Sequence, residues 1–161
     1  MKLGLISDTH DHLDHIRRAA TEFRKQEVDL VIHAGDYTSP PAIKALEGLK
    51  TAGVFGNNDG EKLGIAKIFE KIGGRFEGDF LKIDVDGEAI AVYHGTIPEI
   101  KEALGRCGLY RAVITGHTHM IENHLEGRTR MLNPGSAHGF DKPATIMIYD
   151  SGTDHVDVIE L

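Results

Sequence analysis

The chain has 161 residues, of which 40% are hydrophobic and 27% are charged, a composition typical of a soluble globular protein. Its net charge of 18 − 25 = −7 provides no basic surface for binding a long nucleic acid or an anionic membrane. Cys107 is the only cysteine, the apolar run at 3–6 is too short for a signal peptide, and no stretch could span a bilayer, so we expect a cytoplasmic protein without a disulfide.

The first half of the chain alternates apolar runs of strand length with segments of helical periodicity. The predicted order is strand 2–6, helix 12–27, strand 28–33, helix 42–49, strand 51–55 and helix 60–72. Such alternation is typical of parallel strands covered by helices. The length predicts one domain over residues 1–161.

The second half has a different pattern. Strands at 81–85 and 89–93 flank the turn dipeptide Asp86-Gly87, which predicts a hairpin. A helix at 97–106 and a strand at 111–115 follow. Four further strands, at 121–125, 128–132, 145–149 and 155–159, are expected to form an antiparallel meander. The whole pattern predicts an α/β domain built on two mixed sheets.

Polar clusters rich in Asp, His and Asn follow five of the predicted strands. In open α/β sheets, ligands bind outside the carboxyl ends of the strands, so we expect these clusters to converge on one crevice. Their Gly neighbours are expected to keep side-chain bulk away from it. The clusters are Asp8-Thr9-His10, Gly35-Asp36, Gly56-Asn57-Asn58-Asp59, His94-Gly95 and Gly116-His117-Thr118-His119.

The chemistry of these clusters favours a metal site. Imidazole, carboxylate and amide ligands suit borderline divalent ions, and we expect Mn²⁺, with Ni²⁺, Fe²⁺ and Zn²⁺ as alternatives. In each of two pairs, Asp8 with His10 and His117 with His119, the spacing of two would direct both side chains to one face of an extended stretch. Seven ligands exceed the need of one tetrahedral ion and suit two ions that share a carboxylate. The seven candidates are Asp8, His10, Asp36, Asn57, His94, His117 and His119.

Each cluster alone is also compatible with a structural role. An Asp-x-His after a strand is often a turn or cap, and His94 could be a buried core histidine. The ordered set of five clusters favours the metal interpretation. Among the other histidines, His33 is expected to be buried behind the site, whereas His12 and His138 are candidates to line the crevice.

Together these motifs resemble those of the calcineurin-like metallophosphoesterase superfamily. The Ser7-Asp8-Thr9-His10 start, the short length and the stretch 133–136 (Asn-Pro-Gly-Ser) resemble its small single-domain prokaryotic phosphodiesterase branch. The resemblance extends from Ser7 to Ser136. It implies an αββα four-layer sandwich of two mixed β-sheets flanked by helices, and a dimetal-dependent phosphoesterase with a metal-bridging hydroxide as nucleophile.

The resemblance also assigns roles to individual residues. It implies that one ion is held by Asp8, His10, Asp36 and His119. The other would be held by Asp36, Asn57, His94 and His117, with Asp36 as the bridge. Asp59 would orient a neighbouring His or Asn rather than bind metal.

Asn58 departs from the pattern of the family's protein phosphatases, which have a proton-donating His at this position. Asn cannot act as a general acid at neutral pH, and no Arg lies within the motifs to bind the second charge of a monoester dianion. Two divalent ions offset by two carboxylates and a hydroxide leave one positive charge, which a monoanionic diester neutralises. We therefore expect a phosphodiesterase, with Asn58 and Asp59 as candidate catalytic-site residues and a phosphomonoesterase of the same fold as the alternative.

The sequence disfavours two other classes of protein. A non-catalytic metal-binding scaffold, such as the retromer subunit that resembles this fold, is disfavoured because all seven positions carry metal-competent side chains. A metal-dependent amidohydrolase would need a barrel of ~250 residues. The expected partner is a small phosphoester substrate, with neither a long nucleic acid nor a membrane, and a homo-oligomer stays open.

Overall fold

Strands and helices alternate in the first half of the chain in the computed structural model, which describes residues 1–140 and 142–161. The elements there are β1 (Lys2–Ile6), α1 (Leu13–Lys25), β2 (Leu30–His33), α2 (Pro40–Lys44), β3 (Thr51–Gly53), α3 (Lys62–Lys71) and β4 (Arg75–Phe76). The second half contains β5 (Phe80–Val85), β6 (Glu88–Tyr93), α4 (Pro98–Arg106), β7 (Ala112–Ile114), β8 (Ile121–Glu126), β9 (Thr129–Pro134), β10 (Thr145–Asp150) and β11 (His155–Glu160).

The strands form two mixed sheets. The first sheet has the order β11-β10-β1-β2-β3-β4, in which β1 to β4 are parallel and β10 is antiparallel to both of its neighbours. The second sheet has the order β5-β6-β7-β9-β8, with β6, β7 and β9 parallel and the two outer strands antiparallel. Parallel strands covered on both faces explain the continuous apolar runs of the sequence.

The layers follow from which faces are apolar. The main core lies between the two sheets and includes Leu5, Ile32 and Val92. Helices α1, α2 and α3 cover the outer face of the first sheet through side chains such as Phe23, and α4 packs against the outer face of the second. The predicted αββα sandwich of two mixed sheets is confirmed. No helix in the described part of the chain has the length and apolar character needed to cross a membrane.

The expected antiparallel meander after residue 120 is wrong. β8 and β9 form a hairpin in the second sheet, where β9 also pairs in parallel with β7, whereas β10 and β11 form a hairpin in the first sheet. Turn residues predict which neighbouring strands pair, but they do not determine which sheet a hairpin joins. The two-residue strand β4 was also missed, because Arg75 is exposed and Phe76 is only half-buried.

The sheet topology brings the carboxyl ends of five parallel strands to a common edge. β1, β2 and β3 end there in the first sheet, and β6 and β7 end there in the second. The loops after these strands therefore face one another across the space between the sheets, and they carry the polar clusters of the sequence.

Candidate metal centre

The five predicted clusters converge at this edge. The His94 ring bonds through Nδ1 to the Ala34 carbonyl at 2.7 Å, which joins the loop after β6 to the loop after β2. The backbone N–H of His117 donates to Asp8 Oδ2 at 3.0 Å, which joins the loop after β7 to the loop after β1. Contacts across the two sheets therefore assemble one crevice, as the sequence predicted.

The backbone of this crevice is unusual. Five of the seven candidate ligands have left-handed backbone conformations, with φ between 40° and 67°, which few non-glycine residues adopt. The expectation that each Asp-x-His or His-x-His pair lies on an extended stretch is therefore wrong, because β1 and β7 end before the pairs begin. Strained residues of this kind cluster at functional sites. The five are Asp8, His10, Asp36, His117 and His119.

Glycines make room for the carboxylates. A Cβ on Gly56 would lie 2.1 Å from Asp36 Oδ1, and one on Gly116 would lie 2.5 Å from Asp8 Oδ2 and closer still to Ser7. Neither position tolerates a side chain without displacing a candidate ligand. The expected role of these glycines in keeping bulk away from the site is confirmed.

Asp8, His10 and His119 form a first ligand group. His119 Nε2 lies 3.2 Å from Asp8 Oδ1, and His10 Nε2 lies 4.0 Å from the same oxygen and 3.6 Å from Asp36 Oδ2. Asp8 Oδ1 and His10 Nε2 are buried and have no hydrogen-bond partner among the described residues. Since buried polar atoms without partners are costly, these atoms fit a bound cation.

Asp36, Asn57 and His94 lie together in a second group. His94 Nε2 is 3.1 Å from Asn57 Oδ1 and 3.4 Å from Asp36 Oδ1. Because Nδ1 faces the Ala34 carbonyl and donates to it, Nε2 of the neutral ring presents a lone pair, as the two oxygens do. Three converging lone pairs fit a divalent cation. The His117 ring lies 5.3 Å from the His94 ring, centroid to centroid, on this side of the crevice.

Asp36 faces both groups. Its Oδ1 is directed at His94 and its Oδ2 at His10. Asn58 holds this carboxylate by donating from its backbone N–H to Oδ1 and from its side chain to Oδ2, both at 2.8 Å. This geometry agrees with the bridging role that the resemblance implies for Asp36. It also shows Asn58 positioning the carboxylate.

Asp59 acts on backbone rather than on the side chain of a His or Asn, contrary to the expectation. Its Oδ2 accepts from the N–H of Gly56 at 2.7 Å and of Asp36 at 3.2 Å, and its Oδ1 accepts from Thr38 at 2.8 Å. Burial raises the pKa of this carboxyl. Asp59 therefore fixes the loop after β2 against the loop after β3.

The pKa values of Asp8 and Asp36 are shifted in opposite directions. Burial raises the pKa of Asp8. Burial also acts to raise the pKa of Asp36, but hydrogen bonds with His94 and Asn58 outweigh it and hold that pKa below its usual range. Burial acts to lower the pKa of His94, but the combined effect of Asp36, Asp8 and the Ala34 carbonyl outweighs it and raises that pKa. Asp36 therefore favours the protonated form of His94, with which a bound cation competes.

A hydrogen-bond chain behind the site was missed in part by sequence reasoning. His33 is buried, as expected, and its Nδ1 accepts from the Gly35 N–H at 3.2 Å, so its Nε2 carries the proton and donates to Thr9 Oγ1 at 3.1 Å. The Thr9 hydroxyl in turn donates to the Asp36 carbonyl at 3.3 Å. Thr9 lies between two candidate ligands, and this position is the signal that could have identified it.

An aromatic wall borders the first group. The centroid of the His138 ring lies 6.1 Å from that of His10, so His138 borders the crevice, and the His12 ring lies 5.2 Å from His138, centroid to centroid. Phe140, which sequence reasoning missed, stacks on His138 with the ring centroids 3.9 Å apart, and its centroid lies 5.0 Å from that of His119.

Comparison with known proteins agrees with this site. The family model of the calcineurin-like phosphoesterase superfamily domain matches residues 1–154. A phosphodiesterase of Methanocaldococcus jannaschii is 36% identical over 143 residues, which cover 87% of this chain and 86% of the relative. A "Probable metallophosphoesterase" of Methanothermobacter thermautotrophicus is 30% identical over 145 residues, which cover 84% of this chain and 77% of that relative.

Solved structures extend the comparison. The structure of an archaeal phosphodiesterase superposes with a TM-score of 0.95 at 34% identity, and the match covers 100% of both chains. Family match, sequence relatives and fold agree with the motifs and with a crevice whose ligand groups fit divalent ions. The chain therefore belongs to the calcineurin-like phosphoesterase superfamily and is a phosphoester hydrolase.

Proposed function

We propose that the chain is a dimetal-dependent phosphodiesterase. The observation that carries this proposal is the position of Asp36, whose two carboxylate oxygens face two separate ligand groups. Its support includes the unpartnered buried atoms of Asp8 and His10, and the relative from Methanocaldococcus jannaschii that is named a phosphodiesterase. Mn²⁺ is the proposed ion, and Fe²⁺, Ni²⁺ and Zn²⁺ suit the same ligands.

Two bound divalent ions would supply a hydroxide nucleophile at neutral pH and positive charge for the phosphoryl oxygens. The residues of the chain orient that chemistry. Asn58 and Asp59 fix Asp36 through its carboxylate and its backbone N–H, and the Ala34 carbonyl sets the tautomer and direction of His94. Such outer contacts typically control metal affinity and activity by ~10–100-fold.

The side chain of Asn58 supports the proposal that the substrate is a phosphodiester rather than a phosphomonoester. Its amide replaces a proton donor and already donates to Asp36 Oδ2 at 2.8 Å, so the leaving oxygen has no acid from this position. A leaving group of low pKa, such as a phenolate, should therefore depart far more easily than an alkoxide. The phosphomonoesterase alternative would need another proton donor.

We place this activity in a single domain over residues 1–161, in the cytoplasm, on a small phosphoester. The family match over residues 1–154 supports one domain, and the net charge of −7 disfavours a long nucleic acid or a membrane as partner. A homo-oligomer is compatible with this proposal. Against the alternative of a non-catalytic metal-binding scaffold, catalysis is supported by the two relatives, which are named a phosphodiesterase and a probable metallophosphoesterase.

The test is hydrolysis of bis(p-nitrophenyl) phosphate and p-nitrophenyl phosphate across a panel of divalent metals, with EDTA-treated protein as the control. We expect metal-dependent hydrolysis, fastest with Mn²⁺, and a preference for the diester. Faster cleavage of alkyl monoesters than of aryl diesters would contradict the diesterase assignment, and activity in EDTA would contradict the metal requirement.

A further inference from the structure

Two pockets flank the metal centre. The first, which we name the His119 pocket, has a volume of about 430 Å³ and is lined by His119, Met120, Ile121, Lys142, Pro143 and Val158, among others. The second, which we name the Asn57 pocket, has a volume of about 330 Å³, and its lining includes Phe55, Asn57, Tyr93, His94, Ile97 and Ile100. Each pocket therefore includes a candidate ligand of a different metal group.

The sheet order places the pockets on opposite sides of the centre. The His119 pocket lies at β8, β10 and β11, which flank the central strands on one side of both sheets. The Asn57 pocket lies at the ends of β3 and β6 and at α4, toward the other side. The two pockets share no lining residue among those described. The metal centre therefore lies between two pockets, each of which includes at least one of its candidate ligands.

The pocket walls indicate what they can hold. Ile121 and Val158 in the His119 pocket are 49% and 44% exposed, and Ile100 in the Asn57 pocket is 41% exposed, so each pocket presents apolar surface to solvent. Each also has one lysine and one acidic residue, Lys142 with Glu160 and Lys62 with Asp79, so neither pocket has the net positive charge that a second phosphate group would need. Apolar pockets with few polar groups are typical sites for organic substituents.

We infer that the two pockets hold the two ester substituents of a phosphodiester, of which at least one is apolar or aromatic. This inference rests on the proposed phosphodiesterase activity and specifies its substrate class. A phosphodiester carries two organic groups that leave phosphorus in different directions, whereas a monoester carries one. A crevice with one pocket would serve a monoester equally well, and the second pocket gives the diester its additional binding.

The experiment closes each pocket in turn. Ile121→Trp fills the His119 pocket from β8, Val158→Trp fills the same pocket from β11, and Ile100→Trp fills the Asn57 pocket from α4. Leu125→Trp is the matched control, since Leu125 is on β8, is 56% exposed and lies outside both pockets. Thermal melting of the Mn²⁺-loaded full chain checks that each variant is folded.

The substrates are bis(p-nitrophenyl) phosphate, with two aryl groups, and methyl p-nitrophenyl phosphate, with one. We expect filling either pocket to lower kcat/KM for the bis-aryl ester by about tenfold, the order expected when an apolar group loses its pocket. Methyl p-nitrophenyl phosphate has one aryl group, so it should lose activity when the pocket that holds this group is filled and keep its activity when the other pocket is filled. Ile121→Trp and Val158→Trp must agree, and Leu125→Trp should change neither substrate by more than about twofold.

Two results would overturn the inference. One is a kcat/KM for the bis-aryl ester that does not change when one of the pockets is filled. The other is a kcat/KM for the methyl ester that falls whichever pocket is filled. Wild-type protein without metal-dependent hydrolysis of either ester would instead overturn the proposed function, and the inference with it. The two failures are therefore distinguishable.

Discussion

Gly56 offers a sharp test of the geometry around Asp36. A Cβ at this position would lie 2.1 Å from Asp36 Oδ1 and 2.4 Å from Asp36 N, whereas ordinary contacts begin at 3.4 Å, so the carboxylate or the loop must move by about 1.3 Å. Misplacement of a group at the reaction centre by ~1 Å can cost ~10²-fold in rate. Gly56→Ala should therefore lower diesterase kcat/KM by about 100-fold, with a stability cost of about 1–3 kcal/mol from overpacking.

The assay is steady-state hydrolysis of bis(p-nitrophenyl) phosphate at saturating Mn²⁺, with metal content and thermal melting measured on the same samples. Gly60→Ala is the matched control, because it lies in the same loop and a Cβ there meets nothing within 4 Å. Gly60→Ala should behave like wild type. A folded Gly56→Ala with wild-type activity would refute the argument that the position of Asp36 controls the reaction.

Three further predictions concern single side chains. Asp36→Asn should lower activity by several orders of magnitude, whereas His119→Ala should recover in part at high Mn²⁺; kinetics against metal concentration test this, and near-wild-type turnover of Asp36→Asn would show that the bridge is misassigned. Asn58→His should raise the ratio of monoesterase to diesterase activity by supplying a proton donor, and an unchanged ratio would count against the role of Asn58. Burial holds the pKa of His33 well below its usual range, so below pH ~6.5 the unfolded chain binds a proton that the folded chain does not. In EDTA, the free energy of unfolding of the wild type should then fall by about 1 kcal/mol more than that of His33→Gln between pH ~6.5 and ~5.5. Urea unfolding measures both, and free energies that change in parallel with pH would refute this prediction.

The sequence predicted the features that depend on neighbours in the chain. Asp86 and Gly87 have φ of 56° and 82°, the positive values that a tight hairpin turn between β5 and β6 requires, so the hairpin prediction was confirmed. The convergence of the polar clusters was also predictable, because the carboxyl ends of parallel strands meet at one edge.

Features that depend on tertiary packing were not predictable in this way. The left-handed conformation of Asp8 and His10 is held by the backbone of the neighbouring loop, since both N–H groups bond to carbonyls at 35 and 36. His119 lies beside Asp8, whereas His117 lies beside His94, a division that strand periodicity could not give. The chain Gly35–His33–Thr9 is likewise visible only once two loops are packed together.

The most direct test of the central claim is the number of ions that full activity requires. Metal-free protein is titrated with Mn²⁺ while bound metal is measured by elemental analysis and diester hydrolysis is measured on the same samples. Because Asp36 faces His94 through one carboxylate oxygen and His10 through the other, activity should become maximal only as the second ion binds, at two ions per chain. Full activity at a stoichiometry that saturates at one ion would contradict the two-metal account.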